Sequence, residues 1–222
     1  MSKTPQVAPP SATGNAGPQF ESKVGALYLL SLLIGSEPRG LPGALTRTVA
    51  FQQRGSSGRS LDDVIIHSVN VDGSPSTLEI QAKRTLTFTA TDTEFKDVVA
   101  DMWAAARKSE FGPTRYELAV AIARTTTRVE ASCQEVLHWA RQLPDGATFA
   151  AHINLEGFSS KGMRDFVEVF RANLLAAGAP ADDDTVWRVL RRFQILVFDF
   201  ESYGSDDEHR ARERARLALI PE

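Results

Sequence analysis

The stretch Ser60 to Arg84, SLDDVIIHSVNVDGSPSTLEIQAKR, restricts the folds open to this chain more than any other. Two extended runs flank a turn. Val64 to Val71 is rich in Val and Ile, whose branched side chains favour extended backbone. Asp72-Gly73-Ser74-Pro75 supplies the residue types that set turn dihedrals. Leu78 to Lys83 then alternates with period two, so Glu79, Gln81 and Lys83 share one face of a strand and Leu78, Ile80 and Ala82 share the other. Such a hairpin commits the chain to a sheet.

The polar row is unusual between apolar neighbours. It aligns an acid, an amide and an ammonium, with Asp62 and Asp63 at the near end of the preceding strand. Carboxylate, amide oxygen and backbone carbonyl together suit a hard cation such as Mg²⁺, which takes oxygen ligands and keeps several waters. Mn²⁺ tolerates the same ligands. An adjacent lysine holds or polarises a water, or offsets charge on a phosphate. Asp62 and Asp63 are neighbours and face opposite ways, so counting back from Gln81 leaves open which one joins the site.

Asp63 followed by Gln81-Ala82-Lys83 resembles the D…(E/Q)xK core of the PD-(D/E)xK nuclease superfamily, in its Gln-containing variant. Phe51-Gln52-Gln53-Arg54-Gly55, Leu61-Asp62-Asp63-Val64 and Gln81-Ala82-Lys83-Arg84 widen the likeness. They resemble the fQ…G…LDD…lQvKr pattern of nuclease effector domains in bacterial antiphage proteins. Those domains are typically fused to STAND-type NTPases or to the nucleotide-sensing modules of CD-NTase-associated double-stranded DNA endonucleases. The likeness is sharp over residues 20–110.

The resemblance implies an α/β fold, restriction-endonuclease-like, with a central mixed sheet flanked by helices. It favours Asp63 over Asp62. It implies Mg²⁺ held by Asp63, the Gln81 oxygen and the Ala82 carbonyl, with Lys83 orienting the attacking water. Glu21, Gln52, Asp62 and Glu79 would support the site, and Arg54, Arg59 and Arg84 would meet DNA. It implies cleavage of double-stranded DNA with little sequence specificity, as a homo-oligomer (dimer or tetramer) restrained by a C-terminal sensor or NTPase module. A non-catalytic module for DNA binding or assembly is the alternative; the intact Asp63, Gln81 and Lys83 count against it, and the amide in place of an acid counts for it.

Composition bounds the rest. The 222 residues suffice for one sizeable core. The single cysteine, Cys133, allows no internal disulfide and no cysteine-based zinc site. A net charge of −3 argues against constitutive, tight DNA binding by one copy. No GxxxxGK[ST] loop, GxSxG elbow or paired-histidine motif occurs, and His67 is the one histidine near the proposed centre. Residues 1–19 read as a disordered leader, and residues 20–222 as one nuclease-like domain. Val24 to Ile34 is too short to span a bilayer, so the expected compartment is the cytoplasm, with no membrane partner. The charged helix before Pro221-Glu222 looks like a boundary before a further domain.

Along the chain, Phe20 to Ile34 reads as a helix buried on most sides, with Glu21 in its first turn. Glu21 either favours the helix N-terminus or supports a metal. Arg54 and Arg59 lie in a polar loop, either against phosphates or in solvent. Thr91 or Thr93 caps a helix reaching Lys108, whose Phe95–Trp103 stripe is core or partner surface. Tyr116 to Ala123 is an apolar strand suited to a sheet covered on both faces. Val129 to Leu143 and Ser159 to Ala177 are helices, Ala147 to Leu155 is strand-like, and Asp184 or Thr185 caps Val186 to Arg192. Phe193 to Phe200 is the last strand, and Ser205 to Ile220 a charged helix.

Overall fold

A computed structural model describes residues 16–52, 61–200 and 206–219. The elements run α1 (Ala16–Leu33), β1 (Ala44–Phe51), β2 (Val64–Asn70), β3 (Pro75–Ala82), α2 (Thr93–Ala106) and β4 (Arg115–Ile122). A π-helical turn, Val129–Cys133, leads into α3 (Gln134–Gln142). Then come α4 (Gly146–Asn154), α5 (Lys161–Ala176), α6 (Asp183–Leu190), β5 (Phe193–Val197) and α7 (Asp206–Leu219). The strands form one five-stranded sheet in the order β1-β2-β3-β4-β5. β1, β2 and β3 are antiparallel neighbours; β4 and β5 join in parallel. The chain is therefore α/β with a mixed sheet, as expected.

The hairpin forms where the turn residues require it. The Gly73 N–H donates to the Asn70 carbonyl and the Asn70 N–H to the Ser74 carbonyl, each at 2.9 Å. Gly73 takes φ +83°, a region that side chains disfavour. Asp72 Oδ1 accepts from the Ser74 N–H at 2.9 Å and its hydroxyl at 2.6 Å, closing an Asx turn.

Both faces of the central strands are covered. β4 shows the period of two plainly: Leu118, Val120 and Ile122 pack against one apolar cluster, Ala119, Ala121 and Ala123 against the other. The larger cluster holds α2, α3, α5 and α6, with Phe95, Phe166, Phe170 and Phe193 at its heart. The smaller one packs Phe20, Val24 and Tyr28 of α1 on Leu78, Ile80 and Phe198.

Several expectations are corrected. α1 starts at Ala16, inside the stretch read as leader. It is not buried on most sides: Leu29 is 45% and Leu33 64% exposed, because only the stripe through Phe20, Val24 and Tyr28 meets the sheet. The stripe from Phe95 to Trp103 is core and offers no partner surface. Asp92, not a threonine, caps α2, accepting the Phe95 N–H at 3.1 Å while its other oxygen takes the Thr87 N–H at 2.7 Å. Asp182 caps α6 by accepting the Thr185 N–H at 2.8 Å. The segment read as strand-like around Ala147–Leu155 is helix α4, capped by Asp145 and anchored by Phe149 and Ile153, one turn apart. Cys133 is buried, and burial pushes its thiol up to about 12, which disfavours the thiolate.

Candidate functional site

The site lies at the end of the β2–β3 ladder, one step beyond its last paired residues. Val64 faces Ile80 in the last paired position. Asp63, one step further, meets Gln81 across the strands. Asp63 Oδ2 accepts the Gln81 Nε2–H at 2.6 Å and the Ala82 backbone N–H at 2.7 Å. Of the two aspartates it is Asp63 that this register brings to Gln81 and Ala82, and Asp62 adds a second negative charge felt by Asp63. The Ala82 carbonyl leaves the strand on the same edge as its N–H, the edge toward Asp63. Gln81 and Ala82 are held by pairing with Val120 and Ala121, and the Lys83 N–H donates to the Ala121 carbonyl at 2.8 Å.

A cleft of about 340 Å³ opens over this point. Glu21 of α1, Asp63, Gln81, Lys83, Arg84 and Glu94 of α2 line it. Burial pushes the Asp63 carboxyl up to about 6; Glu21 and Asp62 add to the rise, while the Ala82 N–H and Lys83 oppose it. The surroundings thus oppose a bare negative charge on Asp63 and favour it once a cation or proton compensates.

Oxygen ligation fits these residues. Gln81 is 9% exposed, and its Oε1 is buried with no hydrogen-bond partner among the described residues. Half a turn of the amide would exchange its two ends. Gln81 Oε1 would then stand beside Asp63 Oδ2, a pairing of two oxygens that needs a cation, or a proton on Asp63, between them. The buried end lacks a partner in one orientation, so the exchange forfeits little besides the bond to Asp63. The donors within reach are then a carboxylate, an amide oxygen and a carbonyl, which match Mg²⁺ with waters completing its shell. Among the described residues no three His, Cys, Asp or Glu side chains gather to hold an ion by themselves.

Other expected residues fall out differently. Glu79 shares a strand face with Gln81, as the alternation requires, yet it is fully buried and does not line the cleft. Its carboxylate accepts from Lys108 Nζ at 2.8 Å, from the Tyr116 hydroxyl, and from the Leu61 N–H at 3.4 Å. Glu79 is therefore a structural anchor; the alternation gave its side of the strand, not the layer of helices covering it. Through Leu61 it also steadies the backbone two residues before Asp63. Gln52, with φ +49°, donates its amide N–H to Glu21 Oε1 at 3.4 Å and so ties the end of β1 to the rim. His67 contacts the Thr77 hydroxyl at 3.2 Å across the hairpin, away from the cleft. Arg84 is exposed at the cleft edge, whereas Arg54 and Arg59 lie outside the described residues. Glu94 and Lys108 were not singled out from sequence: one is an ordinary first-turn acid, the other pairs across 29 residues.

No described helix is long and apolar enough to cross a membrane. Comparison with known families finds no matching family model, and no curated protein matches. Among solved structures, this chain is similar to the Acinetobacter baumannii SAVED/CARF-domain receptor Cap4 with the cyclic trinucleotide 3′3′3′-cAAA, at 11% identity and a TM-score of 0.43. The same receptor with 2′3′3′-cAAA gives 11% identity and a TM-score of 0.42. Each likeness spans 98% of this chain but only 37% of the receptor chain.

Proposed function

We propose that this chain is a divalent-metal-dependent endonuclease that hydrolyses phosphodiester bonds of double-stranded DNA. The observation that carries the reading is the convergence of Asp63, Gln81 and Ala82 at the foot of an open cleft with Lys83 beside them. Asp63, the Gln81 oxygen and the Ala82 carbonyl would hold Mg²⁺. That ion supplies Lewis acidity and lowers the pKa of a bound water.

The chain's own groups do the rest. The Ala82 N–H keeps Asp63 Oδ2 pointed into the cleft. The Lys83 ammonium orients the attacking water and offsets charge that grows on the phosphate oxygens. Glu21 and Asp62 add to the negative field that draws in a cation. Little sequence specificity is expected, and a role in antiphage defence rests on the motif resemblance. Because each chain offers one such centre, cleavage of both strands calls for two or more copies. A C-terminal regulatory module and cytoplasmic residence belong to the same proposal. Incubation of supercoiled plasmid with the purified chain tests it: nicked and linear products with Mg²⁺ or Mn²⁺ and none in EDTA are expected. Undiminished cutting in EDTA overturns metal hydrolysis, and folded protein that never cuts with metal favours the non-catalytic alternative.

A further inference from the structure

A second cavity adjoins the acidic cleft, and Arg84 lines both. It measures about 260 Å³, and Lys23 and Phe200 are among its lining residues. The first turns of α1 divide the two by helical spacing. Gly17, Pro18 and Glu21 turn toward the acidic cleft; Ala16, Phe20 and Lys23 turn toward the second cavity. The lining differs sharply in charge. Glu21, Asp63 and Glu94 bring carboxylates to the first cavity, whereas the second has two cations, Lys23 and Arg84, and no carboxylate among its described lining residues. The first suits a metal ion and the second an anion.

A nucleic acid strand presents such anions at regular steps on either side of the bond being cut. We infer that the second cavity is the subsite for the phosphodiester next to the scissile one on the cleaved strand, gripped by Lys23 and Arg84. This rests on the nuclease reading. Lys23 is held toward the cavity, since its ammonium donates to the Phe200 carbonyl at 3.1 Å. Phe200 is buried, so its ring forms a wall rather than a stacking platform for a base. The same ammonium lies 3.2 Å from Glu208 Oε2 on α7. Glu208 therefore competes with the phosphate for Lys23, and α7 weakens the subsite by a small amount, since an exposed ion pair is worth little.

The test measures binding separately from cutting. Anisotropy of a fluorescent DNA duplex is followed with Ca²⁺ over a salt series, for wild type, Lys23→Gln, Glu208→Gln and the double variant. Lys23→Gln is expected to weaken binding about threefold to tenfold and to lower the salt slope by about 1. Glu208→Gln should tighten binding about twofold to fivefold, the worth of an exposed ion pair. That gain should shrink in the double variant by the part that acts through Lys23, and what is left belongs to Arg212, which Glu208 Oε1 also pairs at 2.5 Å. The Lys23 side chain is 45% exposed, so folding should survive, and melting curves verify it. Equal affinity and salt slope for wild type and Lys23→Gln overturn the subsite, as does a Glu208→Gln gain undiminished without Lys23. If the wild type still cuts plasmid in those cases, the nuclease reading stands alone. A wild type that neither binds nor cuts removes both.

Discussion

Asp63 and Gln81 meet across β2 and β3 through a 2.6 Å hydrogen bond, one step beyond the last paired residues of the hairpin. The bond joins an acceptor to a donor that must turn away before a cation can sit between them. Replacement of Gln81 separates these roles. Gln81→Glu sets two carboxylates against each other, so its melting temperature should fall in EDTA and recover with Mg²⁺, with cleavage retained. Gln81→Ala should lose most cleavage and show little recovery. Calorimetric melting with and without Mg²⁺ checks both; a Gln81→Glu protein whose melting ignores the metal would count against ligation there.

Asp63→Ala removes the one carboxylate at the foot of the cleft. Mg²⁺ affinity should fall by about a hundredfold or more, since losing even groups that only orient ligands costs about 10–100-fold. Titration calorimetry reads this directly, and Asp63→Ala should leave no metal-dependent cutting.

Asp63 also sets a pH dependence. Its folded carboxyl keeps a proton up to about 6, whereas an unfolded one releases it near about 3.9. Between these values the folded chain binds more protons than the unfolded chain, so metal-free stability falls as pH rises through the window. A cation competes with the same proton, so Mg²⁺ affinity should climb over that interval. Melting in EDTA across the window tests the first statement, and Asp63→Asn should flatten the curve.

Glu79→Ala should be far more harmful to folding than any change at the cleft rim. It removes the acceptor that the Lys108 ammonium and the Tyr116 hydroxyl share at a fully buried position, and losing a buried hydrogen-bond partner costs about 1–3 kcal/mol. Glu79→Gln keeps hydrogen-bond acceptors for both and should lose less. Urea unfolding distinguishes the two.

The central hairpin was legible because its signals are local: branched residues, an Asp-Gly turn and strict alternation. That Gln81 and Lys83 share a strand face followed from the same alternation; the motif resemblance favoured Asp63 over Asp62, and the strand register brings Asp63 to Gln81. What escaped depends on distant partners. Glu79 looked like a rim residue because its anchor, Lys108, arrives from beyond α2. α4 looked strand-like because its nine residues are mostly small and apolar, while its helical state comes from the Asp145 cap and from Phe149 and Ile153 packing inward. α1 looked buried on most sides because Val24 to Ile34 is nearly all apolar; nothing local told that Leu29 and Leu33 face outward.

Cutting should also depend on concentration. One Asp63–Gln81–Lys83 centre per chain would attack one strand at a time, so nicked plasmid should precede linear plasmid, with linearisation rising more steeply than in proportion to protein. The Phe95–Trp103 stripe cannot serve as the contact, being core. Light scattering beside the plasmid assay checks this. A strictly monomeric species making double-strand breaks at a rate linear in concentration would sink it.

The most direct test compares wild type with Lys83→Ala in Mg²⁺-dependent plasmid cleavage, both verified as folded by melting. Lys83 lines the cleft, half-exposed, and its loss touches no buried cluster. Cleavage should therefore fall by about 10²–10³ while folding holds, the scale for removing one group that stabilises developing charge. Folded Lys83→Ala protein that cuts plasmid at the wild-type rate would contradict the proposed centre.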